Sequence, residues 1–164
     1  MKKALYCLLT FFLLTLVATK SNAQDYQWAA GLKFGGYESG VSGKYFFKSN
    51  TALEGVIGFR GHGVTVTGLY EIHQPAFKLD KLKFYYGFGA HFGSVGRGEY
   101  NAFFNSDSKY YDAHLLVGVD AVLGLEYVIP QSPIAVSLDL NPRAELYKGP
   151  TFDIAPGLGV KYTF

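Results

Sequence analysis

An all-β chain closing into an eight-stranded antiparallel up-and-down transmembrane β-barrel is the fold class the sequence predicts. Three observations predict it. Apolar and polar residues alternate with period two in one segment after another. Tyr, Phe, Val and Thr are abundant and 20 glycines are scattered through the 164 residues, which is strand composition. The residues before the first alternating segment read as a secretory leader.

The leader comes first. Met1-Lys2-Lys3 is a short positive start, Ala4 to Ala18 is an almost unbroken apolar run, and Ser21-Asn22-Ala23 puts small residues where a signal peptidase reads them. The run is shorter than the roughly 20 residues a spanning helix needs. We therefore expect a cleaved leader over 1–23 and one barrel domain over 24–164. Cys7 stands early in the apolar run, where a lipidation signal would not have it, and no other cysteine is present. The mature domain must then be stable without disulfides. Cleavage would take Lys2, Lys3 and Lys20 from the 15 basic residues and leave 12 against 13 acidic ones. No basic patch points to nucleic acid.

Eight segments of about ten residues follow, the length a tilted strand needs to cross a bilayer. In the first, Trp28, Ala30, Leu32 and Phe34 oppose Gln27, Gly31, Lys33 and Gly35. The second is the faintest, with Val41, Gly43 and Tyr45 opposing Ser42, Lys44 and Phe46. Leu53, Ile57 and Phe59 oppose Glu54, Gly58 and Arg60; Val64, Val66, Tyr70 and Ile72 oppose Thr65, Thr67, Glu71 and His73. In the fifth, Leu82, Phe84, Tyr86, Phe88, Ala90 and Phe92 oppose Lys83, Tyr85, Gly87, Gly89 and His91. In the sixth, Leu115, Val117, Val119, Ala121, Leu123 and Leu125 oppose His114, Gly118, Asp120, Gly124 and Glu126. Ile134, Val136, Leu138 and Leu140 alternate with Ala135, Ser137, Asp139 and Asn141, and the polar row continues through Arg143 and Glu145. Last, Phe152, Ile154, Leu158, Val160, Tyr162 and Phe164 oppose Asp153, Gly157, Gly159, Lys161 and Thr163.

The links between segments fall into two sets. Lys48-Ser49-Asn50, Ile129 to Ser132 and a somewhat longer stretch from Gln74 to Lys81 form one set; Gly35 to Gly40, Gly61-His62, Lys148 to Thr151 and a long excursion over 96–111 form the other. With an even strand number and both termini in the periplasm, the second set lies outside the cell.

Alternation alone also permits a soluble lipocalin-like barrel with the apolar row inside. Two features favour the membrane. The polar row is rich in glycine (Gly31, Gly58, Gly87, Gly89, Gly118, Gly124, Gly157, Gly159). Glycine weakens a solvated strand face, but inside a narrow barrel it makes room for long neighbours. Aromatics also gather near segment ends, at Tyr26, Trp28, Tyr70, Phe84, Tyr127, Tyr147, Tyr162 and Phe164, as in the girdles of membrane barrels.

The ending Gly159-Val160-Lys161-Tyr162-Thr163-Phe164 resembles the C-terminal assembly signal of outer-membrane proteins, carried by Gly159, Tyr162 and Phe164, with Gly157 where that signal usually has a polar residue. The chain as a whole resembles the small eight-stranded OmpA/OmpX-type barrels of Gram-negative bacteria. The resemblance implies integral residence in the cell outer membrane after secretion across the inner membrane. It implies contact with outer-membrane lipid and lipopolysaccharide, and handling by the barrel assembly machinery. No periplasmic domain is expected after Phe164.

The inward row carries Lys33, Lys44, Arg60, Lys83, Arg143 and Lys161 against Glu54, Glu71, Asp120, Glu126, Asp139, Glu145 and Asp153. An eight-stranded barrel is just wide enough to be filled by side chains, and charges there must pair. A filled, charge-paired lumen is the expectation, a narrow pore for small solutes or ions the alternative, and a lipid A-modifying enzyme the third. No Ser, His and carboxylate converge as a hydrolase requires: Ser94 and His91 fall on opposite faces. His91 and His114 could share a metal with Glu145 or Asp153, yet their spacing is not a ligand spacing, and lumen histidines with hydrogen-bond partners are the simpler reading. We expect no metal or cofactor. The glycine pairs flanking Phe88 and Leu158 follow strand alternation and no helix, so they are not nucleotide loops. In the excursion over 96–111, Tyr100, Phe103, Phe104, Tyr110 and Tyr111 stand among Asn and Ser, a composition suited to a protein or glycan partner. The alternative is that they pack over the mouth or continue the flanking strands.

Overall fold

The computed structural model describes residues 26–36, 38–60, 62–77, 79–96, 98–100, 109–111, 113–147 and 151–164. The expected leader, 1–23, lies outside them. Ten strands follow the chain: β1 Trp28–Gly35, β2 Ser39–Lys48, β3 Thr51–Arg60, β4 Gly63–Ala76, β5 Leu79–Val95, β6 Gly98–Tyr100, β7 Lys109–Tyr111, β8 His114–Val128, β9 Ile134–Glu145 and β10 Thr151–Thr163. Eight of them form a closed antiparallel barrel in which each strand pairs with its barrel neighbours along the chain and β10 returns to β1. The short strands β6 and β7 pair with each other as a separate hairpin on the β5–β8 connection.

The closing seam runs from Ala29↔Thr163 to Gly35↔Gly157. Beyond it Trp28 and Phe164 exchange both backbone hydrogen bonds, at 3.0 and 2.9 Å. Closure gives every barrel strand two partners and leaves no edge. Both ends of the described barrel chain lie at one rim, here the terminal end; the other rim is the distal end.

Period-two alternation sorts the side chains by face. The inward row is buried and polar: Lys44, Glu54, Glu71, Glu126, Asp139 and Lys161 are almost fully enclosed. The outward row is apolar and exposed, with Phe88 at 68% and Leu138 at 61% of full exposure. Burial is thus reversed relative to a water-soluble core. The apolar cluster inside is small: Leu69, Tyr85 and Val122. On the outward face Ala30, Gly43, Gly55, Gly68 and Ala90 fall in register across five strands. A Cβ at Gly43, Gly55 or Gly68 would meet nothing within 4 Å.

Three expectations are corrected. The stretch from Gln74 to Lys81 is mostly strand: β4 runs on to Ala76 and β5 begins at Leu79. The register steps from Pro75↔Lys83 to Ala76↔Leu79, so β5 carries extra residues opposite Pro75. A proline has no N–H for the ladder and is tolerated at such a bulge; read alone it looks like a strand stop. The turn residue Phe77 takes φ 52° and is 81% exposed. Second, Tyr26 precedes β1 and belongs to no girdle, because its hydroxyl reaches into the lumen and donates to Glu126. Third, Tyr70 is not at an end of its own strand but near the middle of β4, paired with Leu53 and Phe88, with its ring 5.9 Å from that of Phe47.

Candidate functional site

The lumen is the candidate site. Its charges stand in three tiers, each assembled by strands remote in sequence.

Near the terminal end the ammonium of Lys44 on β2 lies 2.8 Å from Glu71, 3.1 Å from Glu54 and 3.1 Å from Glu126. Lys161 on β10 adds a second cation, with Nζ 3.0 and 3.2 Å from the two Glu54 oxygens. His73 Nε2 is 3.0 Å from Glu71. Rings close this tier toward the rim. Tyr26 meets Phe46 edge-on at 5.1 Å, Phe46 meets His73 at 4.8 Å, and His73 stacks on Tyr85 at 5.0 Å. Lys83 Nζ lies 5.5 Å from the Phe46 ring centre and 5.9 Å from that of Tyr26, within cation–π reach.

The middle tier is built on Tyr85. Its hydroxyl donates to Asp139 at 2.6 Å, and Lys33 Nζ lies 3.3 Å from the same carboxylate oxygen. Asn141 donates to the other Asp139 oxygen. The Tyr85 ring lies over its cross-strand partner Gly124, where a Cβ would come within 2.5 Å of the ring. Gly157 and Gly159 make room in the same way for Asp139 and Ser137. This is the physical reason that glycine and long charged residues share one face. Leu69 and Val122 pack with Tyr85 and fill the rest of the cross-section.

At the distal end Arg143 Nε donates to Asp120 at 2.6 Å. Arg143 Nη2 and the Thr67 hydroxyl both donate to Glu38 Oε1, at 3.3 and 2.9 Å. Glu38 comes from the β1–β2 connection and folds in over Gly58, where a Cβ would be 2.7 Å from it. His91 lies between Asp120 and Glu145, at 2.8 and 2.9 Å. Beside this tier is a small recess of about 30 Å³, partly open to solvent. Lys33, Glu38, Asp120, Asn141 and Arg143 form its polar wall and Val56 and Leu69 its apolar lining.

Of the residues named from sequence, Lys33, Asp120, Glu126, Asp139, Arg143 and Lys161 are buried in the lumen, and Lys83 and Glu145 are half-buried there. Asp153 is half-buried on β10, in register with Arg143. The side chain of Arg60 lies outside the described residues. Gly159 faces inward beside Ser137, while Tyr162 and Phe164 carry rings 6.2 Å apart. Tyr100, Tyr110 and Tyr111 belong to the β6–β7 hairpin, Phe103 and Phe104 lie outside the described residues, and none of these five side chains is described. Among the described residues, no three His, Cys, Asp or Glu side chains are grouped to hold a metal. His91 stands opposite Gly118 and His114 opposite Val95, so the two histidines occupy different levels. Sequence reasoning did not single out Tyr26, Glu38, Tyr85 or Asn141 as members of the network. The facing pair Tyr85 and Gly124 was a usable signal for one of them; Glu38 sits in a connection, where alternation says nothing.

No model of a protein family matches this chain, and no curated protein matches its sequence. Among solved structures it is similar to the N-terminal β-barrel domain of Pseudomonas aeruginosa OprF, with 20% sequence identity, a TM-score of 0.61, and coverage of 84% of this chain and 95% of that one. The likeness is one of fold: this chain has the closed eight-stranded architecture of an OmpA-type barrel.

Proposed function

We propose that this chain is an integral outer-membrane protein of a Gram-negative bacterium, a barrel with a closed, charge-paired lumen that acts as a structural platform or meets a partner through its distal connections. The observation that carries the reading is the reversal of burial: large apolar side chains cover the wall while the interior is ionic. Hydrocarbon tolerates such a wall, and closure satisfies the backbone without water. The distal rim carries the long connection over 96–111, which in this reading faces outward among lipopolysaccharide and offers the contact surface for a protein or glycan. The terminal rim then faces the periplasm. Residues 1–23 act as the secretory leader, and Gly159, Tyr162 and Phe164 serve recognition by the barrel assembly machinery.

A narrow pore is the second reading, favoured by the distal recess. The Tyr85, Leu69 and Val122 layer and the Lys44 cluster argue for the closed lumen. The test is purification followed by planar-bilayer recording. The protein should need detergent, migrate differently on a gel when unheated, and give no discrete openings. A chain soluble and monodisperse without detergent would overturn the membrane reading. Reproducible unitary openings would replace the closed platform by the pore.

A further inference from the structure

The β8–β9 seam is interrupted in the middle of the wall. It is paired from Gly118↔Glu145 to Asp120↔Arg143 and again, in the same register, from Leu123↔Leu140 to Val128↔Ala135, but not at Ala121 and Pro142 or at Val122 and Asn141. Among the described residues no other seam is broken away from its ends, since the irregularities at Lys48 and Pro75 lie beside turns. The cause is Pro142. Leu146 donates its backbone N–H to Val117 at 2.8 Å, so the even-numbered residues of β9 turn their backbone groups to β8, and the odd-numbered residues of β8 turn theirs to β9. Residue 142 is the one that should donate to Ala121, and proline has no N–H. Pro75 sits at a bulge, and Pro156 lies opposite the end of β1, where its carbonyl accepts from Gly36. Pro142 instead removes a bond from the interior of a seam, a place where proline is not tolerated in an ordinary sheet.

Both strands stay held on their other sides. Ala121 and Val122 pair with Phe88 and Gly87 on β5, and Pro142 and Asn141 pair with Ile154 and Ala155 on β10. Inside the barrel a brace flanks the gap on each side. Toward the distal end Arg143 Nε on β9 donates to Asp120 on β8 at 2.6 Å. Toward the terminal end the Tyr85 ring lies over Gly124 of β8 and its hydroxyl donates to Asp139 of β9. Between the braces Val122 packs with Leu69 and Tyr85 and has no polar group to reach across, while Asn141 donates to Asp139 on its own strand. The distal recess lies behind the gap, with Asp120, Asn141 and Arg143 in its lining. Outside, the gap is faced by the short side chains of Ala121 and Pro142, set among the exposed Val119, Leu123 and Leu140. The wall is therefore thin on the outside, hollow on the inside and short of a bond between.

We propose that the barrel has a built-in lateral opening point, where the β8–β9 seam parts at Ala121 and Pro142 beside the distal recess, and that the Asp120–Arg143 ion pair is the latch holding it shut. Each member of the latch has a second partner on its own side. Arg143 Nη2 donates to Glu38 at 3.3 Å, and Asp120 meets His91 of β5 at 2.8 Å. Parting the seam leaves neither buried charge alone, which keeps the cost of opening low. The inference concerns the barrel itself and holds whichever compartment each rim faces.

The test is amide hydrogen exchange, read by NMR on the 15N-labelled full chain refolded in detergent. On β8 the amide of Ala121 points to β9, while those of its neighbours Asp120 and Val122 point to β5. After correction for intrinsic rates, Ala121 should exchange about tenfold faster than either neighbour, the scale of one net hydrogen bond. Fraying of the whole strand would raise all three together. Pro142→Ala restores the missing donor and should bring Ala121 down to the rate of its neighbours. Asp120→Asn weakens the latch and should raise the Ala121 rate by a further factor of about three or more. Equal exchange at the three amides of the native chain would overturn the proposal, as would a fast Ala121 that persists in Pro142→Ala. An Ala121 rate unchanged by Asp120→Asn would overturn the latch. Should that variant fail to fold, Arg143→Lys, which keeps the charge and shortens the reach, takes its place.

Discussion

Replacing Lys44 by Met keeps most of the side-chain volume and removes one charge from the centre of the barrel. Three carboxylates then face one another with their shared cation gone. Glu54 retains Lys161, but Glu71 and Glu126 lose their nearest cation, and among the described residues His73 still contacts Glu71 and the Tyr26 hydroxyl still donates to Glu126. At an effective dielectric of about 20, each ion pair near 3 Å is worth roughly 5 kcal/mol gross. The desolvation of four buried charges offsets most of that sum, and removing one partner of a buried cluster costs a net loss of about 3–5 kcal/mol. Urea unfolding of the protein refolded into phospholipid vesicles measures it, with Trp28, the one tryptophan, as the fluorophore. A protonated carboxyl does not need the ammonium, so the gap between native chain and variant should narrow as pH falls toward about 4, the ordinary carboxylate range. Two results would refute the reasoning. A loss below about 1 kcal/mol at neutral pH would mean that the cluster is not the keystone of the lumen. A loss of full size that persists in acid would mean that Lys44 acts by filling space.

The two faces of β8 make a paired test. Leu123 is outward and exposed, and Leu123→Arg should cost about 2–4 kcal/mol in vesicles if it stands at mid-bilayer. The neighbouring Val122 faces the lumen and is packed against Leu69 and Tyr85; Val122→Arg should yield little folded, heat-modifiable barrel. Gly124→Ala should displace the Tyr85 ring and lower stability by about 1–3 kcal/mol, the usual cost of overpacking; an unchanged urea midpoint would show that the ring has slack. Tyr85→Phe should lose about 1.5–3 kcal/mol through the bond to Asp139, and less when combined with Asp139→Asn in a double-mutant cycle.

Much of the barrel was legible because its side chains obey a period of two whatever their partners are. Alternation sufficed to put Lys33, Lys44, Glu54, Glu71, Glu126 and Lys161 on one face, even in the faint second segment. It could not say that Lys44 would sit among Glu54, Glu71 and Glu126, since those contacts depend on register and on the curvature of a closed sheet, which bring together residues on four strands. Pro75 misled because a missing donor signals the end of an ordinary strand, whereas here a bulge absorbs it. Tyr26 misled because its position near a strand end suggested a boundary aromatic, and only the neighbouring Glu126 shows why it turns inward. Glu38 was invisible for a simpler reason: connections have no period, so nothing local marks a side chain that folds back into the interior.

The seam between β1 and β10 joins residues about 130 positions apart. Loop-closure entropy grows only logarithmically, at about 0.6 kcal/mol for each doubling of length, so this distance hardly burdens the finished barrel. Its effect is on the order of events. Every other pairing in the barrel joins consecutive barrel strands, while the last cannot form until the final strand has arrived, and high contact order of this kind slows folding. Until then the chain is an open ribbon with two bare rows of donors and acceptors, each able to pair with another chain. The time spent in that state, more than the stability of the closed ring, sets the exposure of this sequence to misassembly.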